Sequence, residues 1–167
     1  MSGTDGTRLV SLASIWPRLD RIEEIELGAA GGLGYIDLPK LSRATFSIYD
    51  PLHLASLAAA RWPALEHLSL QVPTTTESAQ LIAVFENELP ALRSIELGFY
   101  AHAPALISRL SKLPIGRQLR ELTVYSTPDI LDALMRSGLD LDVLRFDHVM
   151  PDADVRFAHI ARRVERS

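Results

Sequence analysis

The chain has 167 residues, a hydrophobic fraction of 47% and a formal net charge of −4 at pH 7. This composition is typical of a folded domain with a sizeable core and excludes a disordered chain. The acidic balance argues against nucleic acid as a partner. The absence of cysteine excludes disulfides, thiolate catalysis and cysteine-ligated zinc. No apolar run approaches the roughly 18 residues that a membrane span needs, and the start lacks the pattern of a secretion signal. We therefore expect a cytoplasmic protein with no membrane partner.

A short strand pattern recurs along the chain. Its clearest copies are residues 62–70, with the sequence WPALEHLSL, and residues 89–97, with the sequence LPALRSIEL. Both contain L-x-x-L-x-L, whose final alternation predicts a strand with one buried face. Six such modules start at residues 22, 41, 65, 92, 119 and 141, in steps of 19, 24, 27, 27 and 22 residues. Recurrence at this spacing predicts a repeat architecture with parallel strands.

Helical patterns flank these modules. The predicted helices cover residues 7–16, 52–61, 78–89, 104–113, 128 to the stop at Gly138, and 152–165. Their expected N-terminal caps are Asp50, the pair Thr74 and Glu77, Thr127, and Asp152. Trp16 and Trp62 both precede a proline at the end of a helix, so we expect both in the core. The helices at 7–16 and 152–165 are expected to cap the two ends of a single domain that spans residues 1–167.

The strand modules resemble the leucine-rich-repeat family, and within it the helix-bearing, ribonuclease-inhibitor-like class. The residues that carry the resemblance are Leu65-Leu68-Leu70, Leu92-Ile95-Leu97, Leu119-Leu122-Val124, Leu141-Leu144-Phe146, Ile22-Ile25-Leu27 and, less well, Leu41-Ala44-Phe46. The resemblance covers nearly the whole chain. It implies an α/β solenoid with a curved parallel sheet of about six strands and helices on the convex side.

The chain departs from this family at one position of the repeat. The family has Asn or Cys three residues after the third leucine, whereas this chain has Ala30, Tyr49, Pro73, Tyr100, Thr127 and Val149. The usual side-chain ladder at that position cannot form, so we expect irregular loops after the strands.

The resemblance implies that the protein is not an enzyme and binds a protein partner on the concave face of the sheet. Strand alternation predicts the side chains of that face as residues 24, 26, 28, 43, 45, 47, 67, 69, 71, 94, 96, 98, 121, 123, 125, 143, 145 and 147. Among these positions, charged, histidine and tyrosine side chains are the expected partner contacts, since Tyr and Arg are favoured in interfaces. The expected contacts are Arg43, His67, Glu96, Glu121, Tyr125 and Arg145.

Two alternative functions fit the same residues. The open edges of a parallel sheet favour self-association, for example as a homodimer. Glu24, Glu26, Glu96 and Glu121 suggest a hydrolase that uses paired carboxylates. An open sheet face supplies little of the burial that a general acid needs, and the chain has no G-x-S-x-G elbow. We therefore predict no catalytic residues.

Two segments have residue types that occur in ligand sites. The glycine-rich segment 28–34 follows a strand, but residues 35–39 leave little room for the helix that a dinucleotide loop needs, so we expect a flexible turn. Carboxylates and histidine could bind a metal at Asp147, His148, Asp152 and Asp154. Asp152 is the expected helix cap, however, and a terminal loop explains the cluster better. We predict no cofactor and no metal.

Overall fold

The computed structural model describes residues 12–29, 32–98, 101–148 and 152–166. The strands of this part are β1 (Glu24–Ala29), β2 (Arg43–Ile48), β3 (His67–Gln71), β4 (Ser94–Leu97), β5 (Glu121–Val124), β6 (Leu141–Phe146) and β7 (Ala161–Arg166). The α-helices are α1 (Leu54–Ala58), α2 (Ser78–Glu86), α3 (Ala103–Leu110), α4 (Pro128–Met135) and α5 (Ala153–Phe157). Short 3-10 turns occur at Leu12–Ser14, Trp16–Arg18, Pro51–His53 and Pro114–Arg117.

The strands form one parallel sheet in which the spatial order is the chain order, β1 to β7. Each strand pairs with the next one along the chain, with the helices in the connections, so the fold is α/β. The register is regular: His67 lies opposite Arg43 on one side and Ser94 on the other. Equivalent positions of successive modules therefore stand side by side across the sheet.

The apolar positions of the modules form the core, as the alternation predicts. In the third to sixth modules these side chains are at most 2% exposed: Leu65, Leu68, Leu70, Leu92, Ile95, Leu97, Leu119, Leu122, Val124, Leu141, Leu144 and Phe146. They share one cluster with buried residues of the helices, which places the helices on one face of the sheet. Truncating one of these leucines to alanine is expected to cost about 2–5 kcal/mol.

Side-chain amides link successive repeats away from the sheet. Asn87 Nδ2 donates to the carbonyl of Ala60 at 2.7 Å, and Gln118 Nε2 donates to the carbonyl of Leu89. Each bond reaches back one repeat, to the segment just before the preceding module. These two bonds satisfy carbonyls between repeats at positions other than the one used by the family's Asn or Cys ladder.

The observed helices differ from the predicted ones mainly in the residues at which they end. Asp50 accepts from the N–H of Leu52 at 3.0 Å, which confirms its capping role. The cap of α2 is Glu77, whose partner in a reciprocal capping box is Gln80, so the predicted Thr74–Glu77 box is wrong. The helices end two to three residues earlier than their apolar patterns do, because the segments that follow turn into the next strand. Gly138 has a φ of +66°, as a helix-stop residue should.

The predicted C-terminal helix over 152–165 is wrong in its second half. A helix is present only over Ala153–Phe157, and Ala161–Arg166 is a seventh strand. Asp152 precedes the helix with a φ of +59° and makes no side-chain cap bond. The sequence ARRVER carries the module pattern in degenerate form, and Val164 pairs with Leu144. This strand begins about 20 residues after the start of the sixth module, which is close to the first step of 19 residues. The arginines make this recurrence hard to see in the sequence.

The N-terminal prediction is corrected where the structure describes it. Residues 7–11 of the predicted helix lie outside the described residues, and 12–18 form two 3-10 turns. Trp16 is buried and donates from Nε1 to the carbonyl of Leu33 at 2.6 Å. Trp62 is also buried, so both tryptophans belong to the core as predicted. No helix is present between residues 32 and 42, and Leu33 itself is fully buried, so this part of the glycine-rich segment packs into the core.

Candidate binding face

The side chains on the sheet face opposite the helices are mostly polar, and we call this surface the polar face. Two rows of side chains cross it in register. The first row is Glu24, Arg43, His67, Ser94, Glu121, Val143 and Arg163; the second is Glu26, Thr45, Ser69, Glu96, Thr123, Arg145 and Glu165. Because neighbouring strands lie about 4.8 Å apart, each row is a continuous line of side chains. The positions predicted to share one face do so for β1 to β6, whereas Arg163 and Glu165 of β7 lie in the segment predicted as a helix.

A depression of about 430 Å³ lies in the middle of the polar face. It is lined by Ser42, Arg43, Glu66, His67, Arg93, Ser94, Glu96, Arg120, Glu121, Thr123 and Arg145. Five of the six side chains predicted as partner contacts therefore converge on one place. Tyr125 is the exception: it lines a smaller adjoining hollow of about 90 Å³, which Glu96 and Thr123 also line.

Glu121 and Arg145, which line the depression, belong to a network of ion pairs across three strands. Arg145 Nη1 donates to Glu121 Oε2 at 2.7 Å, and Arg145 Nε donates to Glu165 Oε2 at 3.0 Å. Arg163 Nε lies 2.8 Å from the other oxygen of Glu165. The hydrogen bond to Glu121 raises the pKa of Arg145 further, although burial opposes it. Glu121 and Arg145 are thus satisfied within the chain, and a partner would have to compete with these bonds.

His67 and Ser94 are uncharged members of the lining of the depression at neutral pH. His67 is half-buried, and its Nδ1 shares a hydrogen bond of 2.9 Å with Ser94 Oγ. Burial lowers the pKa of His67 below its ordinary value of 6.5, and Arg43 lowers it further. The carboxylates of Glu96 and Glu121 raise the pKa of His67, but less than burial and Arg43 lower it. His67 is therefore a neutral hydrogen-bonding group at neutral pH.

Four charged side chains that line the depression have no ion pair within the described residues: Glu66, Arg93, Glu96 and Arg120. Glu96 makes no ion pair or hydrogen bond there, and neither does the side chain of Arg120. Arg93 donates only to the carbonyls of Pro90 and Leu92, at 3.2 and 3.0 Å. Arg93 and Arg120 immediately precede β4 and β5 and are neighbours, since the N–H of Arg120 donates to the Arg93 carbonyl at 2.7 Å. Two exposed arginines thus occupy adjacent positions, and the exposed Glu66 adjoins Arg93 on its other side, where the N–H of Arg93 donates to the Glu66 carbonyl at 2.9 Å.

Sequence reasoning missed Arg93 and Arg120. Both occupy the first variable position of L-x-x-L-x-L, one residue before the alternation that defines the outward positions. The signal was present, because the fourth and fifth modules carry Arg at the same position 27 residues apart. Because successive modules stack in register, arginines at the same module position become neighbours across the sheet.

The polar face also has buried positions. Val143 is 4% exposed although it lies outside the core cluster and between Glu121 and Arg163 in the first row. Ser69 is 5% exposed in the second row. Both are predicted as outward-facing and stand in the rows of the polar face, but both are buried.

The cluster at the C-terminal end is used for internal contacts. Asp147 accepts from both the N–H and Oγ of Ser126, each at 2.8 Å, and lies 3.4 Å from His148 Nε2. Burial raises the pKa of Asp147, but the two bonds from Ser126 outweigh it and the net shift is downward. Among the described residues, no group of three or more His, Asp or Glu is placed to hold a metal ion.

Comparison with protein-family models, with curated proteins and with solved structures finds no match for this chain. None of the described helices has the length and apolar character needed to cross a membrane.

Proposed function

We propose that this chain is a leucine-rich-repeat solenoid that binds another protein on its polar face and has no enzymatic activity. Support for the solenoid comes from the consecutive, in-register parallel strands with helices on one side. Sequential repeats in which each contacts its neighbours are the arrangement of solenoid proteins. In this family geometry, the polar face is the concave surface.

The observation that carries the binding proposal is the set of unpaired charges around the depression. Arg93 and Arg120 are adjacent cations, Glu66 is an anion beside Arg93, and Glu96 is an anion in the second row. Charged groups left without partners at the edge of a hollow favour a ligand that supplies opposite charges. We expect a protein segment that places a carboxylate near the arginines and a basic or amide group near Glu96.

The uncharged side chains of the lining fit an extended segment laid across the strands. His67, Ser94 and Thr123 offer short hydrogen-bonding side chains, and none brings a full charge to the centre at neutral pH. A depression of about 430 Å³ has room for a few side chains and not for a whole domain. The proposed contact is therefore a short peptide segment of a larger partner.

The hydrolase alternative receives less support. Glu121 is already bonded to Arg145, and Glu96 faces an open depression without the apolar burial that gives a carboxyl group its acid role. The proposed adaptor role and a hydrolase differ in what Glu96→Gln does. In a hydrolase this change abolishes turnover, whereas in an adaptor it only weakens binding.

Affinity capture with charge-reversed variants tests the binding proposal. The tagged protein and the variants Arg120→Glu and Glu96→Arg would be compared by quantitative mass spectrometry of the captured proteins. Both variants change unpaired side chains, so the fold should survive, which circular dichroism can verify. A matched control is Arg136→Glu, an exposed arginine at the end of α4 in the helix layer. A protein lost by both variants and kept by the control supports the proposal; identical captures by all four contradict it.

A further inference from the structure

The two edge strands of the sheet carry opposite charges at positions that would face each other in an extended sheet. The outward-facing side chains of β1 are Glu24 and Glu26, and Glu23 precedes them. In β7, Arg163 occupies the same row as Glu24, and Arg162 precedes it as Glu23 precedes Glu24. Within the described residues, β1 pairs only with β2 and β7 pairs only with β6.

The apolar side of both edge strands is incompletely covered. Ile25 and Leu27 of β1 are half-buried, whereas their equivalents Leu68 and Leu70 of β3 are fully buried. Val164 of β7 is likewise half-buried. Interior strands reach full burial because each has a neighbour on both sides. The edge strands therefore leave apolar surface that one more strand would cover.

We propose that copies of this chain associate head to tail, with β7 of one copy beside β1 of the next in the parallel register used inside the sheet. This register places Arg163 beside the neighbour's Glu24, and Arg162 beside its Glu23. These side chains are exposed and available: Arg162 and Arg163 are 73% and 63% exposed, and Glu24 is 73% exposed. A contact between two different surfaces leaves one further edge free on each end copy, so it adds subunits beyond the dimer, as an open chain or as a ring where the rotation closes.

The remaining charges in this contact are tolerated. The register also places Glu165 beside the neighbour's Glu26, two carboxylates. Glu165 already bonds to both Arg145 and Arg163, at 3.0 and 2.8 Å, so its charge is compensated within its own copy. Arg162 lies 3.2 Å from Asp142 and Glu24 lies 3.8 Å from Arg43, so part of the attraction is shared with these internal pairs. A contact between two single edge strands is small, so we expect weak association of the kind seen in transient interfaces.

A second explanation of the same charges leads to the opposite outcome. Charged side chains on edge strands often prevent sheets from joining. If both edges carried the same charge, copies of one chain would repel each other. The two edges of this sheet have opposite charges. Sedimentation velocity distinguishes edge charges that join copies of the chain from edge charges that keep the copies apart.

Sedimentation velocity over a range of concentrations, at low and at high salt, tests the proposal on the 167-residue chain. We expect concentration-dependent association that weakens at high salt. At 1 M salt, the attraction between exposed charges is largely screened beyond about 3 Å. The weight-average mass should keep rising past the dimer. A monomer at all concentrations, or a species that stops at the dimer, overturns the proposal.

Two charge-reversed variants test the geometry. Glu23→Arg with Glu24→Arg makes both edges basic, and Arg162→Glu with Arg163→Glu makes both edges acidic. Each variant alone should remain monomeric. An equimolar mixture should associate, because each edge then meets an opposite charge on the other variant. Circular dichroism and thermal melting verify that both variants are folded. Failure of the folded variants to associate when mixed, under conditions where the unmodified chain associates, overturns the proposed contact.

Discussion

Arg145 of β6 bonds to Glu121 of β5 at 2.7 Å across the polar face. The same guanidinium bonds to Glu165 of β7 at 3.0 Å, so one side chain joins three consecutive strands. The last strand, whose sequence is the weakest copy of the module, is thereby held by a charge network in addition to its backbone pairing.

This network predicts a modest stabilisation. Glu165→Gln should lower the free energy of unfolding by about 0.5–1 kcal/mol, because the pair is partly exposed and such pairs contribute little each. Glu96→Gln is the control in the same row, since Glu96 has no ion pair among the described residues and should change stability by less than about 0.5 kcal/mol. Urea unfolding measures both. An equal effect of the two substitutions would contradict a structural role for the network.

Much of the fold could be predicted from the sequence, because leucines in L-x-x-L-x-L specify both strand and buried face. The strands at 65, 92, 119 and 141 follow directly from this pattern. The seventh strand was missed because its Arg-Arg-Val-Glu-Arg sequence keeps only one apolar residue of the alternation, and arginines are equally common on helix surfaces. Pairing with β6 decides the conformation there, and pairing partners are not visible locally.

The candidate site was predictable in position but not in chemistry. Alternation placed Arg43, His67 and Glu96 on one face, and the structure brings them to one depression. Which charges remain unpaired depends on side-chain conformations across strands. Glu121 and Arg145 looked available in the sequence and proved to be bonded to each other.

The two buried tryptophans should respond differently to replacement by phenylalanine. Trp16→Phe removes the donor to the Leu33 carbonyl and leaves that buried acceptor unpaired, which should cost about 1–3 kcal/mol beyond the lost volume. Trp62 packs 5.8 Å from the ring of Phe46, and its Nε1 has no hydrogen-bond partner among the described residues. Trp62→Phe loses similar volume but no hydrogen bond. Thermal or urea unfolding should therefore rank Trp16→Phe as the more destabilising change; the reverse order would contradict the assignment.

His67 should make stability depend on pH. Its folded-state pKa lies below 6.5 because burial disfavours the charged ring. As the pH falls below 6.5, the unfolded chain takes up a proton before the folded chain does, so stability is lost until the pH passes the folded-state pKa. His67→Gln should flatten this part of the profile. An NMR titration of the His67 ring should give a midpoint below 6.5, and a midpoint above 6.5 would contradict the account.

Ser126 should control the pKa of Asp147 in a more acidic pH range. The N–H and hydroxyl of Ser126 hold the pKa of this carboxyl below its usual 3.8, so they stabilise the fold above that pH and lose this effect as the pH falls. Ser126→Ala should raise the pKa of Asp147 and cost about 0.5–1.5 kcal/mol at neutral pH. The difference from the unmodified protein should shrink once Asp147 is protonated. A pH-independent difference would point to packing instead.

Site-specific photocrosslinking tests the central claim, that the polar face binds a protein, most directly. A photoreactive amino acid replaces Thr123, which lines the depression, and in a second variant Asp132, an exposed residue of α4 in the helix layer. Our account predicts that position 123 crosslinks to a specific protein other than this chain and that position 132 does not. Equal crosslinking from both positions, or none from position 123 while the folded protein still captures partners, would contradict it.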